Sequence, residues 1–450
     1  MKVHFIAIGG SAMHNLALAL QSKGYQVTGS DDEIFEPATT RLAQAGLLPE
    51  ALGWFPDKIH PGLDAVILGM HAKADNPELL QAQQLNLKIY SFPEFLYLQS
   101  EHKQRLVIAG SHGKTTITAM ILHVLKHIGF DVDFMVGAII PGFDVMVKIS
   151  ESAPWMVLEG DEYLSSAIDR VPKFWHYHPK IAVLSGIGWD HVNVFPTYDI
   201  YLDQFRTFIR RLPADGLLIY NKLDEEVCRL ALEAPCKTVA YTLPDWNRDE
   251  TGIRVYEADG RAWPFQLIGL HNLSNLMAAL EACRVMGVSE HEFFEAIGTF
   301  KGAARRLECV FKSPSLTIYR DFAHAPSKLK ASIEALRLQY PDKHLIVCFE
   351  LHTYSSLLAG FMHNYHECLA PADAAAIFYD PHAVALKRLE PVSHSFIREA
   401  FGIPNAAVLE SADDLKRWIA EQYRPDSVIG LMSSGSFNGL DIHSLPDFIQ

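Results

Sequence analysis

Residues 110–116 carry the groups of a phosphate-binding loop. The segment GSHGKTT combines two glycines, a lysine and polar neighbours: Gly110, Ser111, His112, Gly113, Lys114, Thr115 and Thr116. In such a loop backbone N–H groups surround an anion, the lysine reaches the β- and γ-phosphates and the first threonine ligates Mg²⁺. The usual signature has its first glycine further upstream, at the position that Ile108 occupies. The segment predicts a triphosphate site with a shortened loop.

Acidic side chains and one histidine follow two other predicted strands. VLEGDEY carries Glu159, Asp161 and Glu162, and GWDHVNVF carries Asp190 and His191. Ligands of an open parallel sheet gather beyond the carboxyl ends of its strands, so these groups are expected at the same edge as the phosphate loop. Carboxylate oxygens at that edge would hold Mg²⁺, for which imidazole is a less usual ligand. A solvated helix cap is the alternative for Asp161 and Glu162.

The elements that must position these groups alternate along the chain. Short β-branched runs alternate with longer amphipathic segments, which predicts parallel α/β layers. Strands are expected at VHFIAI (3–8), RLVIAG (105–110), IAVLSGI (181–187) and LTIYRDF (316–322). The polar stretch 242–265 is expected to form an edge hairpin of the middle domain.

The length and the polar stretches QSEHKQR and KGAARR predict three domains. Their expected ranges are 1–102, 103–304 and 305–450. The expected fold class is α/β, with a Rossmann-like first domain, a central ATP-binding domain with a mostly parallel sheet, and a Rossmann-like third domain.

Composition excludes several classes of protein. Of the 450 residues, 49% are hydrophobic and 20% are charged, so each domain can bury a core. The net charge of −14 argues against a nucleic-acid-binding face. No apolar run approaches the length of a membrane span. The six cysteines lack C-x-x-C spacing, which is typical of a cytosolic protein with reduced thiols.

The N-terminal segment IAIGGSAMHN is a glycine-rich turn between a strand and a helix. Its shape is that of a dinucleotide fingerprint, but Ala7 and Ala12 stand at two expected glycine positions. Asp31 ends the next strand. The incomplete glycine pattern weakens the prediction of an NAD site.

Several of these motifs resemble the Mur ligase superfamily. GSHGKTT resembles its ATP loop, GLHNLSNLMAALEA (269–282) its asparagine motif, and YRDFAHAPSKLKA (319–331) the opening of its third domain. The resemblance covers the whole chain in order. It implies an ATP-dependent ligase that activates a carboxylate as an acyl phosphate and then forms an amide.

The resemblance assigns roles to residues of the ATP site. Lys114, Glu159, His191 and Arg306 are the expected catalytic residues, and the Mg²⁺ ligands are Thr115, Glu159 and His191. Further nucleotide contacts are expected from the loop residues and from Asn272, Asn275, Arg306 and Asp321. PTYDIYLDQFRTFIRR lacks the lysine that many superfamily members carbamylate, as in the subgroup that uses UDP-N-acetylmuramate directly.

The N-terminal turn resembles the UDP-binding domain of that subgroup. The implied UDP-sugar-binding residues are Gly9, Gly10, Ser11, Met13, Asp31 and His71. The first substrate is therefore expected to be UDP-N-acetylmuramate, with ATP and Mg²⁺ as cofactors.

Two segments, DRVPKFWHYHP (169–179) and LMSSGSFNGL (431–440), resemble the murein peptide ligases, which recycle a released tripeptide. The expected acceptor-binding residues are Arg170, His324, His352, Thr353 and Ser355. Two departures stand out. Ala325 replaces a second histidine of the family, and His352 and Thr353 stand where an arginine-containing loop is usual.

The expected acceptor is L-Ala-γ-D-Glu-meso-diaminopimelate, in a cytoplasmic bacterial enzyme that is a monomer or weak homodimer and binds neither nucleic acid nor membrane. The first alternative is the ligase that adds free L-alanine. A nicotinamide-dependent dehydrogenase and a nucleotide-hydrolysing regulator are further alternatives; the dehydrogenase leaves Lys114 and Glu159 unexplained.

Overall fold

Within residues 1–249 and 252–449, which the structure describes, the strands form four sheets. In this computed structural model the chain divides into two units. The first comprises Met1–Ile187, Leu202–Tyr241 and Ala278–Val288, and the second comprises Gly188–Tyr201, Thr242–Met277 and Ser289–Gln450. The three sequence-based domain ranges stay a prediction.

The first unit contains a four-stranded and a seven-stranded sheet. The four-stranded sheet is parallel throughout, with the order β2-β1-β3-β4. Its strands are β1 (Lys2–Ile6), β2 (Gln26–Ser30), β3 (Ala65–Leu68) and β4 (Ile89–Ser91). The seven-stranded sheet has the order β11-β10-β9-β5-β8-β6-β7, and only the β6–β7 pair is antiparallel. Its strands are β5 (Gln104–Ala109), β6 (Asp133–Met135), β7 (Val147–Lys148), β8 (Trp155–Gly160), β9 (Ile181–Leu184), β10 (Leu217–Asn221) and β11 (Lys237–Tyr241).

The second unit contains a small and a large sheet. The small sheet is antiparallel and consists of β12 (Trp246–Asp249), β13 (Gly252–Tyr256) and β14 (Ala262–Phe265). In the large sheet, of order β15-β16-β20-β17-β18-β19, only β15 runs antiparallel to its neighbour. Its strands are β15 (Glu308–Lys312), β16 (Leu316–Asp321), β17 (His344–Leu351), β18 (Ala374–Tyr379), β19 (Ala407–Leu409) and β20 (Ser427–Met432).

Helices connect most of the parallel strands, as such crossovers require. The α-helices of the described residues are α1 (Ser11–Ser22), α2 (Ala38–Gln44), α3 (Pro77–Gln84), α4 (Phe92–Ser100), α5 (Lys114–His127), α6 (Tyr198–Arg210), α7 (Glu225–Ala231), α8 (Leu270–Val285), α9 (Glu290–Ile297), α10 (Pro326–Gln339), α11 (Tyr354–Leu357), α12 (Ala359–Met362), α13 (Pro381–Leu386), α14 (His394–Phe401), α15 (Ala412–Gln422) and α16 (Leu445–Ile449).

The α/β fold class predicted from the sequence is confirmed, because three of the four sheets are wholly or largely parallel. The strands expected at 3–8, 105–110, 181–187 and 316–322 correspond to β1, β5, β9 and β16. Antiparallel pairing is found in the stretch 242–265, between β12 and β13 and between β13 and β14. The expected position at the edge of a larger sheet is wrong, since these strands form a separate sheet.

Helix α5 shows how the sequence sets an element that carries the site. It begins directly after Gly113 and buries Ile117, Met120, Ile121 and Val124 completely, at helical spacing. It ends before Gly129, whose φ of +71° lets the chain reverse while the Phe130 amide donates to the Leu125 carbonyl oxygen at 2.8 Å. Both ends of the helix are thus fixed by glycine.

Candidate active site

The phosphate loop lies between β5 and α5 and is held against the end of β9. Gly110 has a φ of +134° and Gly113 one of +81°, conformations that favour glycine. The Ser111 amide donates to the Gly186 carbonyl oxygen at 2.9 Å, and the Ser185 hydroxyl donates to the His112 carbonyl oxygen. A Cβ on Gly110 would lie 3.0 Å from the Gly186 oxygen, so the close approach requires glycine.

Lys114 is the cation of this loop. Its Nζ donates to the Gly110 carbonyl oxygen at 2.5 Å and to Glu162 Oε2 at 2.6 Å. The Lys114 side chain is 13% exposed and that of Glu162 is 1% exposed. Burial by itself lowers the pKa of Lys114, but Glu162, Asp161 and Glu159 outweigh it and raise the pKa. The ammonium is therefore charged and already paired where a phosphate would need it.

Glu159 is fixed through both of its carboxylate oxygens. Oε1 accepts from the Thr115 hydroxyl at 2.8 Å, and Oε2 accepts from the Gly137 amide at 2.8 Å. Glu159 and Thr115 are both buried. The two predicted Mg²⁺ ligands of the first unit therefore contact each other. Thr115 directly follows Lys114 in α5.

The two acids after Glu159 have different environments. Glu162 is buried against Lys114, whereas Asp161 is part-exposed and pairs with Lys173 at 2.6 Å. The alternative in which both form a solvated helix cap does not describe Glu162. The sequence carried little signal for this pairing, because Lys114 and Glu162 are far apart in the chain and meet only through the β5–β8 pairing.

The glycine turn of the first domain range has its own fixed contacts. The Gly9 amide donates to Asp31 Oδ2 at 2.7 Å, and a Cβ on Gly9 would lie 2.9 Å from the same oxygen. Burial raises the pKa of Asp31, although the Gly9 hydrogen bond opposes this. Ala7, at an expected glycine position, adopts a φ of +68°. Asp31 thus supports the turn itself.

The other predicted UDP-sugar residues differ in exposure. Met13 is buried in α1, whereas Ser11, at the start of that helix, and His71 are exposed. Gly10 precedes α1 with a φ of −56°.

In the second unit, Arg306 and Asp321 lie in one local arrangement. Asp321 accepts from the Leu307 amide at 2.5 Å and from the Ala323 amide at 2.6 Å. The Arg306 guanidinium lies 5.2 Å from the centroid of the Phe322 ring. Burial raises the pKa of Asp321, with Arg306 as the strongest opposing influence. These two predicted nucleotide-site residues are therefore neighbours.

The predicted asparagines are buried on α8. Asn272 Nδ2 donates to the Ile268 carbonyl oxygen at 2.9 Å, and Asn275 Nδ2 lies 3.3 Å from Asn272 Oδ1. They contact each other, as their spacing on one helical face requires.

Asp190 and His324 meet in the second unit through a residue that sequence reasoning did not single out. Lys328 Nζ lies 2.9 Å from Asp190 Oδ2 and 3.4 Å from His324 Nε2. Burial raises the pKa of Asp190, but Lys328 and the nearby imidazoles outweigh it and hold the pKa well below its usual range. His191 follows Asp190 with a φ of +57°.

The predicted acceptor residues fall into both units. Arg170 is exposed in the first unit. In the second, His352 Nδ1 lies 3.6 Å from Glu350 Oε1, Ser355 is buried, and the Thr353 hydroxyl accepts from the Ser356 amide at the start of α11. Glu350 was missed by sequence reasoning. It is buried and accepts from the Ser433 hydroxyl and, at 2.9 Å, from the Phe437 amide, which fixes the SSGSF loop.

Comparison with known proteins identifies the class. The family model "Mur ligase family, catalytic domain" matches residues 2–104, and "Mur ligase middle domain" matches residues 108–283. The chain belongs to the Mur ligase family and is an ATP-dependent ligase that forms an amide bond.

The individual relatives fall into two groups, which differ in the acceptor that their names give. The UDP-N-acetylmuramate–L-alanyl-γ-D-glutamyl-meso-2,6-diaminoheptandioate ligase of Haemophilus influenzae is 29% identical over 97% of this chain and 97% of its own. The UDP-N-acetylmuramate–L-alanine ligase of Caldicellulosiruptor bescii is 28% identical over 97% and 96%.

Two solved structures share the fold. A murein peptide ligase from Psychrobacter arcticus superposes with a TM-score of 0.67 at 24% identity, covering 100% of this chain and 99% of its own. The UDP-N-acetylmuramate–alanine ligase from Thermotoga maritima gives 0.72 at 22% identity, covering 100% and 98%. Among the described residues no helix is long and apolar enough to cross a membrane.

Proposed function

We propose that the protein joins L-alanyl-γ-D-glutamyl-meso-diaminopimelate to UDP-N-acetylmuramate in peptidoglycan recycling. The observation that carries the reaction type is the cluster in which Lys114 contacts Glu162 while Thr115 contacts Glu159. The tripeptide acceptor is supported by the relative from H. influenzae and by the segments 169–179 and 431–440.

The proposed reaction passes through an acyl phosphate. The lactyl carboxylate of the muramate attacks the γ-phosphorus of ATP, and ADP leaves. Lys114 and Arg306 stabilise the negative charge on the transferred group. The peptide amine then attacks the acyl carbon, loses a proton, and inorganic phosphate departs as the amide forms.

The first-unit donor set fits Mg²⁺. The Thr115 hydroxyl and the Glu159 carboxylate are hard oxygen ligands, and hydrogen bonds hold both of them in place. In the second unit, His191 remains the predicted Mg²⁺ ligand. Bound Mg²⁺ would neutralise charge on phosphate oxygens.

The first domain range is proposed to bind the UDP group through Gly9, Gly10, Ser11, Met13, Asp31 and His71. Its incomplete glycine pattern and the family match both favour a uridine nucleotide over NAD. Calorimetry with UDP-N-acetylmuramate and with NAD separates the two, because binding of NAD alone would refute the assignment.

The second candidate is ligation of free L-alanine. It is favoured by the relative from C. bescii, whose identity to this chain is nearly the same. It is also favoured by His352 and Thr353, which stand where a cationic clamp for peptide carboxylates was expected.

Acceptor kinetics distinguish the two candidates. Each charge-assisted contact contributes about 1.5–3 kcal/mol, so two contacts to the peptide carboxylates give a preference on the order of 100-fold or more. We expect kcat/KM for the tripeptide to exceed that for L-alanine by this factor at saturating ATP and UDP-N-acetylmuramate. A value for L-alanine equal to or above that for the tripeptide would assign the protein to the alanine-adding branch.

A cytoplasmic location and a monomeric or weakly dimeric state belong to the same proposal.

A further inference from the structure

A buried charged cluster joins the start of α10 to the segment that precedes α6. The cluster consists of Asp190, His324 and Lys328, all in the second unit, and their side chains are 5%, 13% and 16% exposed. Asp190 Oδ2 lies 2.9 Å from Lys328 Nζ and 3.4 Å from His324 Nε2. Lys328 thus takes the nearer position on the carboxylate, and the imidazole takes the farther one.

The backbone fixes the tautomer of His324. Its Nδ1 lies 2.9 Å from the Phe322 carbonyl oxygen. A carbonyl oxygen only accepts, so Nδ1 carries the proton. The other nitrogen, Nε2, lies 3.4 Å from both Lys328 Nζ and Asp190 Oδ2, and these two groups are closer to each other, at 2.9 Å. A neutral imidazole has one N–H group, so with the proton on Nδ1 the lone pair is on Nε2.

The charged neighbours of His324 have opposite effects on the protonation of its imidazole. Asp190 faces it from the 188–191 segment and Lys328 from α10, while the Tyr365 hydroxyl donates to the backbone oxygen of His324. Burial lowers the pKa of His324, Lys328 lowers it further, and Asp190 opposes both. Without the ammonium, the Asp190 carboxylate would face the imidazole uncompensated and favour its protonation.

We propose that Lys328 is a positioning residue that occupies Asp190 and thereby keeps Nε2 of His324 available as the proton acceptor for the incoming amine. The role rests on the proposed amide-forming reaction. As the nitrogen–carbon bond forms, a proton of the attacking nitrogen passes to Nε2, and the carbon–oxygen bond to the phosphate breaks. Inorganic phosphate leaves with the electron pair of that bond.

The test compares Lys328→Gln, which removes the charge but keeps a donor for Asp190, with Lys328→Arg, which keeps the charge. Lys330→Met is the matched control, because Lys330 lies on the same helix with a side chain that is 63% exposed. We expect kcat of Lys328→Gln to fall on the order of tenfold at pH 7 and to recover at higher pH, since an uncompensated carboxylate moves an imidazole titration upward by about 1–2 pH units. Lys328→Arg and Lys330→Met should keep the original pH profile.

A second readout is independent of turnover. Titration of ¹⁵N-histidine-labelled full-length protein by NMR, with His324 assigned from the His324→Gln variant, should show its midpoint raised in Lys328→Gln alone. A pH-independent loss of kcat, or an unmoved His324 titration, would overturn the proposal and leave Lys328 a structural role. If no acceptor supports amide formation, the proposed function fails, while the NMR titration still decides whether Lys328 controls His324.

Discussion

Replacing Glu162 by Gln tests the environment of Lys114, the proposed catalytic lysine. The substitution keeps the size of the side chain and removes the negative charge that lies 2.6 Å from Lys114 Nζ. Lys114 would retain the Gly110 carbonyl oxygen as its hydrogen-bond acceptor. It would lose its only carboxylate within ion-pair distance among the described residues. We therefore expect a destabilised protein whose defect ATP partly relieves, because the phosphates supply negative charge at the same ammonium.

The magnitude follows from the burial of the pair. Removing one partner of a buried ion pair destabilises a protein by about 3–5 kcal/mol. Glutamine still accepts a hydrogen bond, and Lys114 is not fully enclosed, so the expected loss lies at or just below the bottom of that range, about 2–3 kcal/mol. For a unit of this size each kcal/mol lowers Tm by roughly 2–4 °C. The expected decrease is thus about 5–10 °C without nucleotide.

Thermal unfolding followed by circular dichroism, with and without a non-hydrolysable ATP analogue and Mg²⁺, measures this effect. Asp161→Asn is the matched control, since Asp161 pairs with Lys173 in a part-exposed site and should change stability by only about 0–1 kcal/mol. The analogue should raise the Tm of Glu162→Gln by more than that of the unsubstituted protein. An unchanged Tm in Glu162→Gln, or equal effects of the two substitutions, would refute a buried Lys114–Glu162 pair.

Two further predictions concern Gly110 in the phosphate loop and Glu159, which accepts a hydrogen bond from Thr115 of that loop. Gly110→Ala should destabilise the protein by about 2–4 kcal/mol, because it adds a close contact with Gly186 to an unfavourable φ of +134°. Gly252→Ala is the matched control, since Gly252 has a φ of +126° and a Cβ there meets nothing within 4 Å. It isolates the φ contribution of about 1–3 kcal/mol, and equal losses of unfolding free energy would contradict the contact. Glu159→Gln should raise the Mg²⁺ concentration needed for half-maximal phosphate release at least about tenfold with little change in ATP affinity by calorimetry, and an unchanged Mg²⁺ titration would remove Glu159 from the metal site.

The phosphate loop could be predicted because its chemistry is local. Gly110, Gly113 and Lys114 lie within one strand–turn–helix unit, so residue types and spacing were sufficient to predict the element. The position of Glu159 could also be predicted, since the carboxyl ends of parallel strands lie at the same edge of a sheet. Its hydrogen bond to Thr115 follows from that placement.

The contacts that the sequence did not predict depend on tertiary packing. Lys328 meets Asp190 only because the 188–191 segment lies against the start of α10, where a Cβ on Gly188 would be 2.8 Å from the Ser327 hydroxyl. The hydrogen bond that Asp31 accepts from the Gly9 amide was not predicted either, because it depends on how the turn packs against the end of β2. The left-handed φ of Ala7 could not be predicted either, because an alanine in the sequence does not indicate that conformation.

The acyl phosphate is tested most directly by following one oxygen atom. UDP-N-acetylmuramate labelled with ¹⁸O in the lactyl carboxylate is turned over with ATP, Mg²⁺ and the tripeptide, and the inorganic phosphate is analysed by mass spectrometry. Attack of the carboxylate on the γ-phosphorus predicts one ¹⁸O atom in each phosphate that accompanies amide formation. Amide product together with unlabelled phosphate would contradict activation through an acyl phosphate.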